Sequence, residues 1–243
     1  MPSVSLVSLN IERSKQLDRV LPFLASRMPE VACIQELYES DIPKLSHALG
    51  DAPFVFTPMT RHIRETPPEI MGVGIFSRLP IRASAVDFYG GDPAHIPELD
   101  QKDPKTFNNK NFPLLHCDIE KAGMIFRIAT THFRWTPDGE ADDLQRTDMK
   151  ALLGILDSAG EFVLTGDFNA PRGKEIFGML ANRYKDNIPE KYLSSLDPEL
   201  HRAKGLKLMV DGIFSTPGYI VSNVEMVSGV SDHCALVASV VRT

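Results

Sequence analysis

Short apolar runs that each end on a polar residue recur along the chain and constrain its fold most strongly. The clearest is "FVLTGDFNAP" (162–171), in which a run typical of a buried strand stops at Asp167 and Asn169. The segments "SVSLVSLN" (3–10) and "VACIQE" (31–36) follow the same pattern. A plain turn after a strand would suit Asn-Gly or Asp-Gly, whereas here a carboxylate and a carboxamide stand one residue apart. The pattern predicts buried strands whose ends carry chemistry.

Apolar residues at helical spacing predict helices between some of these strands. Helices are expected over 17–28, over 40–49, after the turn "TPDGE", and over 173–182. The third of these is expected to place five residues on its inner face: Leu144, Met149, Leu152, Leu153 and Leu156.

Further strands are expected over 71–78, 161–166, 207–215 and 219–227, with "CALVASVV" closing the chain. A hairpin that turns at 121–123 is expected to join "FPLLHCDIE" to "MIFRIATTHF". Many strands with helices outside them predict an α/β (α+β) fold of two packed β-sheets. No internal repeat or linker divides the sequence, so one domain over 1–243 is expected.

Composition sets limits on partners and location. The chain has 243 residues and a formal net charge of -6, which argues against wrapping long duplex DNA but allows a local basic rim. Cys33, Cys117 and Cys234 lie in apolar contexts without a CxxC pair, which predicts buried thiols in a reducing compartment. No apolar run approaches the ~18 residues of a membrane span. The expectation is a cytoplasmic protein without a membrane span or an obligate protein partner.

The segment 89–111 is rich in glycine, proline and asparagine and is too long to be a simple connector. Such loops commonly line functional sites. Asn108, Asn109 and Asn111 could therefore line a cleft, although solvated loop positions are the simpler alternative.

Groups able to bind a metal or transfer protons stand at the ends of the predicted strands. They are Asn10, Glu12, Glu36, His132, Asp167, Asn169, Asp211, Asp232 and His233. Buried charges are costly unless they are paired or bound to a metal, so their recurrence predicts one convergent site. Oxygen ligands without a thiolate cluster favour Mg²⁺ or Mn²⁺ over zinc. The chemistry that fits is metal-assisted phosphoester hydrolysis by in-line attack of water.

Six segments in this order carry a resemblance to a known family. They are "SLNIE" (8–12), "IQE" (34–36), "TTHF" (130–133), "TGDFNAP" (165–171), "VDGIF" (210–214) and "VSDHCALVA" (230–238). Together they resemble the endonuclease/exonuclease/phosphatase superfamily, which includes deoxyribonuclease-type nucleases and inositol-polyphosphate phosphatases. The resemblance implies a four-layer αββα sandwich of two mixed β-sheets, with the site between their loop ends.

The resemblance also implies a set of metal ligands. Glu36 matches the family's principal metal ligand, Asn10 lies beside it, and Asp232 matches a carboxylate at or near the metal. Glu12 stands where abasic-site enzymes carry an aspartate, so it is either a ligand or a residue behind the ligands. Mg²⁺ or Mn²⁺ is the implied cofactor.

The implied catalytic residues are five. Asp167 matches the carboxylate that contacts the attacking water, and Asn169 the amide that donates to the phosphate. His233 matches the histidine that hydrogen-bonds the scissile phosphate, and Asp211 the carboxylate that orients its ring. Such a pair favours a cationic imidazole near neutral pH. His132 matches a histidine near the leaving group, where abasic-site enzymes have a tyrosine.

Candidate phosphate clamps are the arginines Arg134, Arg146, Arg172 and Arg202. Arg134 and Arg146 are favoured because they lie nearest to the "TTHF" motif and on the helix behind it. Trp135 could stack on a base or a lipid, although a lone tryptophan more often packs against its own loop.

The resemblance leaves the substrate class open. Phosphodiesters of DNA or RNA are the first choice, and a small-molecule or phospholipid phosphoester is the alternative. Met209 replaces a basic residue of the family pattern and Gly212 an aromatic one, so the wall there is expected to be less basic and more open. A non-catalytic binding module on the same fold is the third hypothesis, against which the retained set of polar residues argues.

Overall fold

The computed structural model describes the backbone of residues 1–243 and every side chain except that of Asp138. The larger sheet of the described chain consists of β1 (Ser3–Asn10), β2 (Val31–Tyr38), β3 (Phe54–His62), β4 (Glu69–Ser77), β6 (Glu98–Leu99), β12 (Tyr219–Val227) and β13 (Ala235–Arg242). The smaller sheet consists of β5 (Ile81–Gly90), β7 (Phe112–Lys121), β8 (Met124–His132), β9 (Val163–Asp167), β10 (Lys185–Asp186) and β11 (Asp211–Ser215). The α-helices are α1 (Leu17–Arg27), α2 (Ile42–Ala48), α3 (Asp143–Ser158) and α4 (Glu175–Ala181).

Both sheets are mixed. Their strand orders are β12-β13-β1-β2-β4-β3-β6 and β10-β11-β9-β8-β7-β5. The pairs β1–β2 and β8–β9 are parallel, whereas β9–β11 and β1–β13 are antiparallel. None of the helices described has the length and apolar character that a membrane crossing requires.

The layers follow from the period-two alternation of the central strands. Leu6 and Cys33 point into a core shared by the two sheets, whereas Val7 and Ile34 point into a second core with α1 and α2. The helices α3 and α4 cover the far side of the smaller sheet. This arrangement confirms the expected αββα sandwich, and both faces of β1 and β2 are buried, as their continuous apolar runs indicate.

Most predicted elements are present, and two details were wrong. Leu144 is 59% exposed, because the buried stripe of α3 passes through Gln145, Met149 and Leu152 and leaves its neighbour on the outer face. The strand expected over 207–215 begins only at Asp211. The hairpin of β7 and β8 is confirmed, and the three cysteines are buried free thiols, as expected.

The ends of β1, β2, β8 and β9 meet at one edge of the sandwich. The inter-sheet face of β1 runs through Leu6 to Asn10, and that of β2 through Cys33 to Gln35. Gln35 Nε2 donates to Thr130 Oγ1 on β8 at 2.9 Å, which ties the sheets together beneath this edge. The polar ends of strands from both sheets are thereby brought to a common place.

Candidate active site

A row of three side chains crosses the smaller sheet at this edge. Strand register sets His132 on β8 opposite Asp167 on β9, and Asp167 opposite Asp211 on β11. Directly opposed residues project from the same face of a sheet, so all three point between the sheets. His132 Nε2 consequently lies 3.6 Å from Asp167 Oδ2.

Asp167 is held at the centre of this row. Its Oδ2 accepts a hydrogen bond from Asn10 Nδ2 at 3.0 Å, and its Oδ1 accepts from the Asn169 backbone N–H at 2.8 Å. Asn10 Oδ1 in turn accepts from the Glu12 backbone N–H at 3.1 Å. Burial raises the pKa of the Asp167 carboxyl, and neighbouring Asp211 adds to this, while His233 and His132 oppose it. The carboxylate is therefore fixed in orientation and made more basic.

His233 forms a buried ion pair with Asp211. Its Nδ1 lies 2.7 Å from Asp211 Oδ2, and its Nε2 lies 3.9 Å from Asp167 Oδ2. Burial alone would lower the pKa of His233, but the charges of Asp211 and Asp167 raise it well above the usual value. The imidazole is cationic at neutral pH, with Asp211 behind it and Nε2 directed toward Asp167.

His132 has the opposite surroundings. Burial, followed by the positive charge of Lys110, lowers the pKa of His132 to about 4, despite nearby Asp167 and Glu36. Its Nδ1 is buried without a hydrogen-bond partner among the described groups. This imidazole is neutral at pH 7.

Glu36 is aimed into the site by a β-bulge. The pairing of β2 with β4 shifts register between Ile34 and Leu37, and Glu36 in that interval has φ of 51°. Burial would raise the pKa of Glu36, but His132 and the cations Arg13 and Lys110 bring it to about 2. The Glu36 carboxylate is therefore ionised at neutral pH.

Carboxylates from separate strands and loops share one open cavity, here called the cleft. The cleft has a volume of about 340 Å³ and is lined by Glu12, Glu36, Asp167, Asn169, Asp232 and His233, among others. Asn10 and Asp211 lie behind this surface and act on it through Asp167 and His233.

The acidic side of the cleft fits a hard divalent cation. Burial, together with the charges of Glu36 and Glu12, raises the pKa of Asp232 to about 7. Carboxylates crowded in this way are stabilised by a cation, and Mg²⁺ needs only one or two of them because it retains waters. Within the described part of the chain, the one set of three metal-binding groups with ligand atoms within 4.8 Å is Asp167, Asp211 and His233. Its Asp–His hydrogen bond marks it as a proton-bearing pair rather than the predicted metal site.

Backbone strain is concentrated around the cleft. Four lining residues without a glycine's freedom have positive φ, namely Glu12 at 49°, Arg13 at 64°, Glu36 at 51° and Asn169 at 48°. Such conformations cost free energy and persist where a functional geometry requires them. Asn169 is also fixed by its side chain, whose Nδ2 donates to the Phe133 carbonyl at 3.0 Å.

The two favoured arginines do not reach the cleft, and their predicted role as phosphate clamps is corrected. Arg134 is buried, with Nε 2.6 Å from Asp148 Oδ2 and its guanidinium 4.3 Å from the centre of the Phe112 ring. Arg146 pairs on the surface with Glu175 and Asp143.

A smaller cavity adjoins the cleft and is here called the side pocket. It has a volume of about 180 Å³ and is defined by His62, Gln101, Phe107, Lys110, Trp135 and Arg202. Glu36 and Asn169 line both cavities, and His132 lines the side pocket. Trp135 and Arg202 line both cavities, whereas Arg134 and Arg146 line neither of them.

Sequence reasoning missed several lining residues. Arg13, whose Nε lies 3.5 Å from Glu36 Oε2, directly follows the "SLNIE" motif and could have been noticed there. Lys110 lies in the long loop among the three asparagines that were considered as candidates to line a cleft. Those asparagines instead hold the loop in place. Asn108 donates to the Trp135 carbonyl and Asn111 to the His95 carbonyl. Nothing in the local sequence marks His62.

The expectation of an open wall near Gly212 was wrong. A Cβ at Gly212 would lie 2.8 Å from the Phe214 ring and 3.0 Å from the Phe168 ring. These two aromatic side chains fill the space, and Met209 beside them is buried.

Comparison with known proteins agrees with the fold described above. A family model described as the Endonuclease/Exonuclease/phosphatase family matches residues 7–233. The fold is similar to that of the endonuclease/exonuclease/phosphatase from Bacteroides vulgatus, with a TM-score of 0.75 and 16% identity over 100% of both chains. No curated protein matches the chain.

Two further solved structures share the fold. The human Nocturnin catalytic domain with bound sulfate anion has a TM-score of 0.71 and 17% identity, over 100% of this chain and 94% of that one. The mannosyl-6-phosphatase Bt3783 of Bacteroides thetaiotaomicron has a TM-score of 0.68 and 12% identity, over 98% of this chain and 99% of that one.

Proposed function

The chain belongs to the endonuclease/exonuclease/phosphatase family, and on that basis we propose that it is a divalent-metal-dependent phosphoesterase that acts in the cleft. The observation that supports this most is the row of His132, Asp167 and Asp211, completed by the 2.7 Å contact between Asp211 and His233. It combines a fixed general base with a cationic hydrogen-bond donor, as hydrolysis of an anionic ester requires.

Asp167 orients the attacking water and accepts its proton. Asn10 and the Asn169 backbone hold its two oxygens, so the carboxylate does not rotate away from the water. The raised pKa of Asp167 supports this role, because a more basic carboxylate accepts a proton more readily.

His233 and Asn169 stabilise the charge that develops on the phosphate oxygens. His233 donates from Nε2, since its Nδ1 is occupied by Asp211. One hydrogen of Asn169 Nδ2 is taken by the Phe133 carbonyl, which leaves the second for the phosphate. His132 is neutral and therefore supports the leaving oxygen by a hydrogen bond rather than as an imidazolium acid.

The residues that would hold the metal are Glu36, Glu12 and Asp232, with Asn10 beside them. A divalent cation held there would neutralise charge on the substrate phosphate and would favour ionisation of nearby water. The bulge that turns Glu36 inward and the crowding of Asp232 by two carboxylates support this assignment of Mg²⁺ or Mn²⁺.

Two substrate classes are candidates. Nucleic-acid phosphodiesters are the first, because branches of the family cleave them. A small phosphoester is the second, and the occupied arginines favour it. Arg134 and Arg146 are engaged by Asp148 and Glu175, so the phosphate contacts expected along a nucleic-acid strand are missing at these positions.

A panel of phosphoesters tests the proposal. Purified protein is assayed with Mg²⁺, with Mn²⁺ and with a chelator against single-stranded and duplex DNA, RNA, bis-p-nitrophenyl phosphate and alkyl phosphomonoesters. We expect metal-dependent hydrolysis of at least one class, and weaker Mn²⁺ binding by calorimetry for Glu36→Gln than for wild type. Absence of both turnover and metal binding would return the protein to the class of binding modules.

A further inference from the structure

The side pocket contains a buried histidine that the mechanism above does not use. His62 is 4% exposed, and its Nδ1 lies 2.8 Å from the Tyr38 hydroxyl. Its Nε2 is buried and has no hydrogen-bond partner among the groups that the structure describes. A buried polar atom without a partner costs free energy, so a ligand group that bonds to it gains from the contact.

The proton on His62 can be located from its neighbours. The Tyr38 hydroxyl oxygen lies 3.0 Å from Glu65 Oε1. The same Glu65 oxygen accepts a hydrogen bond from Gln101 Nε2 at 3.1 Å. A carboxylate only accepts hydrogen bonds, so the single hydroxyl proton of Tyr38 is donated to Glu65. Tyr38 must then accept from His62 Nδ1–H.

The remaining nitrogen of His62 is consequently an acceptor. Burial, followed by the positive charge of Arg13, lowers the pKa of His62 to about 4, so the ring carries one proton at neutral pH. That proton is on Nδ1, and Nε2 presents a lone pair on a ring that lines the side pocket. The pocket therefore offers a buried acceptor that requires a donor from a ligand.

The positively charged side chains that line the side pocket restrict the kind of hydrogen-bond donor that a ligand can bring to His62. Lys110 and Arg202 line the pocket and form no ion pair within 4.0 Å with any described side chain, and Glu36 is the one carboxylate among the described lining residues. A ligand ammonium would be repelled there, whereas a neutral hydroxyl attached to an anionic ester would not. The donor that matches His62 is therefore a hydroxyl.

Size and shape narrow the ligand further. A cavity of ~150 Å³ holds one benzene ring, so the 180 Å³ of the side pocket suits a single ring. Met71 and Leu99 supply apolar surface, and Phe107 meets Trp135 edge to face with ring centres 6.3 Å apart. Such walls match the apolar face of a sugar ring.

We infer that the side pocket binds a sugar ring of the substrate, with one sugar hydroxyl donating to His62 Nε2 and anionic groups lying near Lys110 and Arg202. The inference rests on the proposed phosphoesterase activity and assigns its substrate class as phosphorylated sugars. The sugar belongs either to a free sugar phosphate or to a nucleotide unit, and the test separates these sources.

Matched substrate pairs test the inference on the wild-type protein with Mn²⁺. Glucose 6-phosphate is compared with cyclohexylmethyl phosphate, which keeps a six-membered ring and lacks hydroxyls. A ribodinucleotide is compared with its deoxyribo counterpart. We expect kcat/KM to favour the hydroxylated member of one pair by ~10-fold or more, because its absence leaves His62 Nε2 unpaired. The pair that responds identifies the source of the sugar.

The variant His62→Phe keeps a ring of similar size and removes the acceptor. We expect it to reduce the wild-type preference at least fivefold, and the surface substitution His47→Phe, at a side chain 84% exposed, to leave it unchanged. If His62→Phe does not fold, the wild-type preference still decides. Equal rates within both pairs, or an unchanged preference in folded His62→Phe, would overturn the inference about the side pocket. The proposed phosphoesterase function would still stand if bis-p-nitrophenyl phosphate is hydrolysed. No hydrolysis of any ester, bis-p-nitrophenyl phosphate included, would end both.

Discussion

His132 and His233 are both buried and approach the same oxygen of Asp167, at 3.6 Å and 3.9 Å, yet their surroundings set opposite charges. His233 has Asp211 at its Nδ1, and this raises its pKa. His132 has no partner at Nδ1 among the described groups, and burial and Lys110 lower its pKa to about 4. Both rings are buried, yet their pKa values shift in opposite directions. The presence or absence of a carboxylate behind the ring sets the direction.

The difference divides the work of the cleft. A cationic donor stabilises charge on phosphate oxygens, whereas a neutral imidazole can only share a hydrogen bond with the leaving oxygen. The comparison therefore predicts unequal effects when each ring, or the group that sets its charge, is changed.

The largest effect is expected from His233→Gln. Glutamine keeps a hydrogen-bond donor toward Asp211 and loses the positive charge, so we expect kcat to fall ~10²–10³-fold, as when a donor to transition-state charge is removed. Steady-state kinetics and a thermal unfolding curve check this. A loss below threefold in a folded variant would contradict the cationic role.

Asp211→Asn should have a smaller effect that depends on pH. The pKa of His233 is raised in the folded protein, so the charged form is present at neutral pH and is lost as pH rises through that raised value. Removing the Asp211 carboxylate should lower the pKa of His233. At a pH above the new pKa, the fraction of charged imidazole then falls about tenfold for each pH unit by which the pKa has decreased. The loss of kcat should therefore be greater at pH 8 than at pH 6. A loss equal at both values would indicate that Asp211 only supports packing.

His132→Ala should reduce turnover by ~10-fold for an alkyl leaving group, the value of about one hydrogen bond. The effect should nearly vanish for p-nitrophenolate, which leaves without assistance. Parallel assays of alkyl and p-nitrophenyl esters measure this difference. Equal losses for both leaving groups would place His132 elsewhere in the reaction.

The smallest effect is expected from Lys110→Met, which tests why His132 is neutral. Lys110 lowers the pKa of His132 after burial, so its removal should shift that pKa upward while the burial contribution remains. Nuclear magnetic resonance titration of the ring measures the shift, with Lys102→Met on the exposed loop as control. A downward shift would contradict the electrostatic explanation.

Much of the candidate site was accessible from the sequence, because the site residues stand at strand ends and the motifs are local. "GDFN" and "SDH" indicated Asp167, Asn169 and His233, and the apolar runs indicated the two sheets. The register that sets His132 opposite Asp167 was not accessible, because strand pairing is non-local and a one-residue slip reverses the faces.

The failures have a common physical origin. Arg134 was taken for a surface clamp because its partner Asp148 lies on α3, and only folding brings the two together. His62 and Lys110 come from β3 and the long loop, and neither has a local motif. Leu144 has helical spacing but lies one position outside the buried stripe. Apart from Leu144, the residues that were missed are those whose role depends on a distant neighbour.

Hydrolysis of bis-p-nitrophenyl phosphate by wild type and Asp167→Asn, each with Mn²⁺ and with a chelator, tests the central claim most directly. Asparagine preserves the size of the buried side chain and removes the proton acceptor. We predict metal-dependent turnover by wild type and a decrease of ~10²-fold or more in the variant, with a similar unfolding midpoint. Turnover within threefold of wild type, or turnover unaffected by the chelator, would contradict the account.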